Sequence, residues 1–204
     1  MEKDGKRLLI DPGSFCFIEG LVKPADLGKV DVILLTHNHA DHFDLGALEE
    51  ILSAKMATIL TIPEIGKTLD ERQIPYQLIE PGANTELEGF SIQTVRAPHG
   101  SLPVPVPENI GFVVDGVFHP GDSYEPVRAP PCDVLALPVA GPWLNLNQAM
   151  DLVDAVRPKR IIPIHDAILK DFMRKRVYEG LLKNALAKRE IDLTPLELGQ
   201  EVLI

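Results

Sequence analysis

The stretch Thr36-His37-Asn38-His39-Ala40-Asp41-His42 constrains this chain more than any other feature. It closes Lys29 to Thr36, in which Val30, Val32, Ile33, Leu34 and Leu35 form an apolar run with little alternation, as expected of a strand buried on both faces. From Asp41 the pattern changes: Phe43, Leu45, Leu48, Ile51 and Leu52 recur at three- and four-residue intervals and predict an amphipathic helix to about Ala54. A buried strand therefore hands over to a helix across three of the chain's 6 histidines. His37 and His39, two apart in extended chain, project to the same side, while Asp41 and His42 open the helix. Imidazole nitrogen and carboxylate oxygen are the ligand set of zinc, and of iron or manganese with other geometric preferences. The bland alternative, a capping Asp41 among exposed histidines, does not explain such density.

Three further donors each follow a predicted strand. His99 comes after Phe90 to Val95, Asp122 after Val117 to His119, and His165 after Arg160 to Ile164. Singly, each has an ordinary reading as a loop, turn or core-edge residue. Jointly, they place ligands at the carboxyl ends of several strands, where sites in sheet-based folds collect. His119 reads as a structural or supporting residue.

The rest of the pattern is mixed α and β. A polar turn at Asp4-Gly5-Lys6 leads to a strand Leu8 to Ile10, halted by Asp11-Pro12-Gly13, with a short strand expected near Phe15 to Ile18. Strands are predicted at 58–61, 76–79, 90–95, 111–114, 117–119, 134–138 and 160–164, and helices at 63–72, 146–156 and 177–188. A terminal strand is expected at Glu201 to Ile204. The 204 residues suit one domain, 1–204. Prolines number 18, and three of them, at 103, 105 and 107, stiffen the loop Leu102 to Asn109 toward polyproline geometry.

Composition narrows the function. A net charge of −10 argues against nucleic acid or an anionic membrane as partner, and no apolar run approaches the ~20 residues of a bilayer span. The charged start, Met1 to Arg7, lacks the apolar stretch of a secretory signal, so the expected location is cytoplasmic. Cys16 and Cys132 form no C-x-x-C pair and are expected as buried free thiols.

The T-H-x-H-x-D-H stretch, a later His, a Gly-Asp pair and a final His, in that order from Leu8 to His165, resemble the metallo-β-lactamase superfamily of metal-dependent hydrolases. The short length looks closest to the ascorbate-6-phosphate lactonase-like branch. The resemblance implies an α/β fold, a four-layer αβ/βα sandwich of two mixed β-sheets flanked by helices. It implies one metal held by His37, His39 and His99, a second by Asp41, His42 and His165, and Asp122 bridging the two. Asp11 would support the metal loop from behind. Family members usually carry a further strand or hairpin ahead of Leu8, where this chain has seven residues; an open edge there would invite a homo-oligomer.

Two divalent ions, zinc first and manganese or iron next, would hold a bridging hydroxide near neutral pH and polarise the bond under attack. The expected reaction is hydrolysis of an ester, lactone, amide or phosphodiester in a small molecule, with Asp41 as the catalytic proton carrier. Trp143 is expected either in the core or as an aromatic wall, and Arg96 and Arg128 as surface cations or as contacts to an anionic group. A nuclease is disfavoured by length and charge, and a diiron oxygen-reducing relative by His39, where such proteins usually carry glutamate. A glyoxalase II-like thioesterase normally has a longer C-terminal extension than the roughly forty residues after His165. A degenerate metal-binding or structural member without turnover is the remaining alternative.

Overall fold

The computed structural model describes residues 1–125 and 131–204. Two sheets form the centre. The first has the order β1 (Glu2–Lys3), β2 (Lys6–Ile10), β3 (Val32–Leu34), β4 (Thr58–Thr61) and β5 (Gln77–Leu78), parallel except for the β1–β2 hairpin. The residues ahead of Leu8 thus form a short hairpin, with Lys3 opposite Lys6.

The second sheet contains β6 (Asn84–Leu87), β7 (Phe90–Arg96), β8 (Ile110–Val114), β9 (Val117–His119), β10 (Val134–Pro138), β11 (Arg160–Ile164) and β12 (Asp192–Leu193). They run in the spatial order β12-β11-β10-β9-β8-β7-β6, with β6 to β9 antiparallel and β9 to β12 parallel.

Alternation along the strands decides what each face touches. On β8, Ile110, Phe112 and Val114 join the core between the sheets, while Val113 turns to the opposite face. The inter-sheet core continues through Val32, Ile33 and Leu34 to helices α1 (Leu45–Ala54) and α2 (Pro63–Glu71) on the outside of the first sheet. On the far side, Leu135, Leu137 and Ile161 pack against α3 (Leu146–Val156) and the C-terminal helix. That helix runs from α4 (Asp171–Lys175) through a π-helical stretch, Arg176–Leu182, into α5 (Lys183–Ala187). The layers are helix, sheet, sheet, helix, as the four-layer sandwich requires.

Several local expectations change. Phe15 to Ile18 is no strand: Ser14–Cys16 is a 3₁₀ turn, because Cys16 and Phe17 donate backbone hydrogen bonds to Gly13 and Ser14 instead of to a neighbouring strand. Cys16 is exposed there, against the expectation of burial, whereas Cys132 is buried. The helix after the histidines starts at Leu45, because the Asp44 carboxylate caps it by accepting from Ala47 N at 2.9 Å. Glu201 to Ile204 forms no strand; β12 takes that edge, and the Leu203 carbonyl accepts from Arg160 Nη1 at 3.0 Å.

Candidate metal centre

The seven donors stand at the carboxyl ends of strands from both sheets. His37, His39, Asp41 and His42 lie in the loop after β3, His99 follows β7, Asp122 follows β9, and His165 directly follows β11. The Asp11-Pro-Gly turn after β2 presses against the histidine loop: Ser14 N donates to Ala40 O at 2.8 Å, and a Cβ on Gly13 would lie 1.8 Å from Asp41 O. Only glycine permits that approach.

The donors divide into two groups. His39 Nδ1 lies 3.2 Å from His37 Nε2 and 3.3 Å from His99 Nε2, with Asp122 Oδ2 at 3.7 Å and 3.5 Å from the same two Nε2 atoms. A tetrahedral ion with bonds of about 2.0–2.1 Å separates its ligands by about 3.3–3.4 Å, close to these distances. In the second group Asp41 Oδ2 lies 3.2 Å from His165 Nε2 and 3.9 Å from His42 Nε2. Asp122 Oδ1 lies 2.9 Å from His42 Nε2 and 3.4 Å from His165 Nε2. The two oxygens of Asp122 therefore face different groups.

A hydrogen-bond chain behind the donors fixes which nitrogen faces inward. Asp11 accepts from Thr36 N at 2.8 Å, from the Thr36 hydroxyl at 2.6 Å and from His42 Nδ1 at 2.8 Å. Burial pushes the Asp11 pKa up, but the His42 contact outweighs it and keeps the group ionised, so it can only accept. The Thr36 proton is thereby committed, and the 2.9 Å contact between His37 Nδ1 and the Thr36 oxygen requires the ring to donate. His99 Nδ1 donates to Gly100 O at 2.6 Å. His37, His42 and His99 all turn Nε2 toward the centre, the nitrogen that a metal takes once it is deprotonated.

The site passes a second test of fit. Among the described residues, four buried side-chain polar atoms lack a hydrogen-bond partner, and three of them are His42 Nε2, His165 Nε2 and Asp122 Oδ1. These atoms are close but misaligned for hydrogen bonding, and buried polar groups otherwise find partners. Burial alone would lower the pKa of His42 and His165, yet Asp11 and Asp122 lift His42 to about 10, and Asp122 and Asp41 lift His165 to about 9. Burial dominates at His37, which falls to about 3. Burial opposes ionisation of Asp122, but His165, His42 and His99 hold it far below the carboxylate range. Such a concentration of coupled groups suits a divalent cation. The donor sets His37, His39, His99, Asp122 and Asp41, His42, His165 each bring their atoms within 4.8 Å of one another.

The supporting residues are only partly those expected. Asp11 stands behind the loop as anticipated, and His119 Nδ1 accepts from Gly121 N at 3.2 Å, shaping the turn that presents Asp122. Asn109 was missed as anything but the end of the proline-rich loop. Its Nδ2 donates to Ala97 O at 2.5 Å and Pro120 O at 2.9 Å, and its Oδ1 accepts from Asp122 N at 3.2 Å, joining the loops of His99 and Asp122. Trp143 is buried and also lines the site, edge-on to His99 and to His165 with ring centroids 5.7 Å from each. Arg96 is exposed at the end of β7, and Arg128 lies outside the described residues.

Two face-to-face sheets with paired His/Asp donor sets at one edge define a metal-hydrolase architecture, and sequence comparison agrees. Residues 1–165 match the model of the β-lactamase superfamily domain, and the chain belongs to the metallo-β-lactamase superfamily of hydrolases. It is 34% identical over 186 residues to the protein Rv0786c of Mycobacterium tuberculosis, covering 86% of this chain and 82% of that one. It is 31% identical over 178 residues to a UPF0173 metal-dependent hydrolase of Pyrococcus abyssi, covering 78% and 77%. A solved metallo hydrolase from Ignicoccus hospitalis shares the fold with a TM-score of 0.72 at 23% identity, over 98% of this chain and 91% of that one. A metallo-β-lactamase fold protein from Bacillus subtilis aligns with a TM-score of 0.67 at 18% identity, over 97% and 88%.

Proposed function

We propose that this chain hydrolyses an ester, lactone, amide or phosphodiester bond of a small molecule at a dinuclear metal centre. His37, His39 and His99 would hold one divalent ion, Asp41, His42 and His165 the other, and Asp122 both, with zinc favoured by the His/Asp set and manganese or iron acceptable to it. The observation that carries the reading is Asp122, whose Oδ2 faces the first donor group and Oδ1 the second. When bound, such ions supply a deprotonated water at neutral pH and polarise the substrate oxygen.

The chain's own residues do the remaining work. Thr36, Asp11 and Gly100 O hold three histidines in one tautomer, so the donors are oriented before any ligand arrives. Asp41 keeps 22% side-chain exposure and lies 3.2 Å from His165 Nε2, where its carboxylate can take the proton of the attacking water and deliver it to the leaving group. No side-chain nucleophile is needed: burial lifts Cys132 to about 11, which keeps it a thiol.

The test is metal content per chain on protein purified without added metal, run with a hydrolysis screen over esters, lactones, thioesters and phosphodiesters. Two ions per chain and turnover that a chelator abolishes and zinc or manganese restores are expected. Less than one ion, with no turnover after metal is restored, overturns the reading and leaves a degenerate scaffold.

A further inference from the structure

Among the seven candidate donors only His165 stands in the left-handed backbone region, at φ 60°. A β-carbon makes that conformation costly, so the segments on both sides have to hold it. On the strand side, β11 pairs with β10 as far as Ile164, whose carbonyl accepts from Val139 N at 3.0 Å. On the other side the chain turns at once. Leu169 N donates to Asp166 O at 2.8 Å, and Asp166 Oδ2 accepts from the Tyr178 hydroxyl at 2.5 Å. Arg174 Nη1 is a weaker partner of that oxygen, at 3.9 Å, because its guanidinium is shared with Asp171 and Glu197, both at 3.3 Å. The side-chain anchor of the residue next to His165 is therefore a phenol on the C-terminal helix.

The helix is built unusually at that phenol. Tyr178 lies in the π-helical stretch Arg176–Leu182, where Lys183 N donates to Tyr178 O, five residues back. Residues five apart stand about 140° apart around an α-helix, so Val177 and Leu182 could not both face the core squarely in one. The wider turn brings them closer to one face, and both are buried. Tyr178, beside Val177, packs at the edge of the same core. Burial and the Asp166 carboxylate push the Tyr178 pKa up, so the phenol keeps its proton and donates. Such turns are rare and gather at functional sites.

We propose that Tyr178 is a positioning residue of the metal centre, a statement that rests on the dinuclear reading above. Its hydroxyl anchors Asp166 and thereby holds His165 in the left-handed conformation that directs Nε2 to Asp41 and Asp122, 3.2 Å and 3.4 Å away. Because Tyr178 acts through Asp166, its loss falls on the ion at Asp41, His42 and His165 and spares the one at His37, His39 and His99.

The experiment titrates metal-free protein with cobalt(II) and zinc(II) against a competing chelator, and His42→Ala identifies the binding step that belongs to the Asp41, His42 and His165 group. Tyr178→Phe removes one oxygen and keeps the ring. We expect it to weaken that step about 10-fold, at the low end for loss of a supporting partner, to alter the cobalt absorption of that step, and to leave the other step unmoved. Asp166→Ala should do the same, and the two changes together should be no worse than either alone. Asp166→Asn, whose amide oxygen still accepts from the phenol, should keep the parent affinity. Tyr76→Phe deletes another carboxylate-bound hydroxyl, the one 3.1 Å from Asp70 Oδ2, and should move neither step. A merely stabilising tether would lower the urea midpoint of the metal-free protein and leave both affinities intact. That result, or equal weakening of both steps, overturns this inference and leaves the dinuclear reading standing. If the parent chain binds no ion, the dinuclear reading falls, and amide exchange in the metal-free protein decides whether Tyr178 holds the His165 turn. Tyr178→Phe should then speed exchange at Leu169 and not at Ser14, and equal rates in parent and variant overturn the assignment.

Discussion

Asp11 does more for the centre than any residue outside the donor set. Its carboxylate accepts three hydrogen bonds, and through them it orients His42 directly and His37 by way of Thr36. Replacing it by asparagine keeps the shape and tolerates the left-handed backbone at φ 49°, yet puts an N–H donor where an acceptor stood. An amide nitrogen facing His42 Nδ1 favours the tautomer with its proton on Nε2, the nitrogen that must give a lone pair. On the proposed dinuclear reading, Asp11→Asn should therefore weaken binding of an ion at His42 about 10- to 100-fold, as loss of an outer partner typically does, and that of an ion at His39 and His99 less. Chelator-competition titration measures both affinities, and equal, undiminished values would sink the argument. At this scale the sequence was informative for the candidate ligands: the seven side chains expected as donors lie close together. It was silent on Asn109, because an amide that joins two carbonyls and an N–H across two loops has no pattern along the chain.

Elements were legible where a side-chain period or a cap was strong. The run Val30 to Leu35 and the three- and four-residue spacing to Ala54 locate β3 and α1, and the cap at Asp44 moves the helix start only a few residues. β6 escaped because Asn84–Leu87 is mostly exposed and offers little apolar signal; its clue was Glu88-Gly89, both at positive φ, the two-residue turn of a hairpin pairing Leu87 with Phe90. Phe15 to Ile18 misled because a short apolar run resembles a strand when nothing shows that no neighbour pairs with it. The loops between elements depend on long-range contacts, and Asn109 is the clearest case. Asn109→Ala would leave the Ala97 and Pro120 carbonyls and the Asp122 N–H without that partner. The expected cost is about 1–3 kcal/mol in urea unfolding, together with reduced metal occupancy as Asp122 loses its support. An unchanged unfolding midpoint would show that water replaces the amide at no cost.

Across the whole molecule the donors link parts that are otherwise joined by packing. Four come from the loop after β3 in the first sheet, and three from loops after β7, β9 and β11 in the second. The core between the sheets, with Leu34 on one side and Phe112 on the other, holds them face to face, and the donor groups sit across the seam at one edge. The layer order was legible only through the family resemblance, with which the alternation of buried strands and amphipathic helices is compatible, whereas the seam arises only when both sheets are in place. Any ion bound by His37, His39 and His99 spans the two sheets, and binds the folded chain alone because the unfolded chain does not bring those donors together. At a free metal concentration a thousandfold above Kd, that linkage adds about 4 kcal/mol. For a chain of this length the gain corresponds to about 8–16 °C in Tm. Calorimetry of metal-loaded protein before and after chelation should show that fall, and restored metal should reverse it. A Tm indifferent to chelation would mean that the donors never closed on an ion, and that packing alone holds the two sheets together.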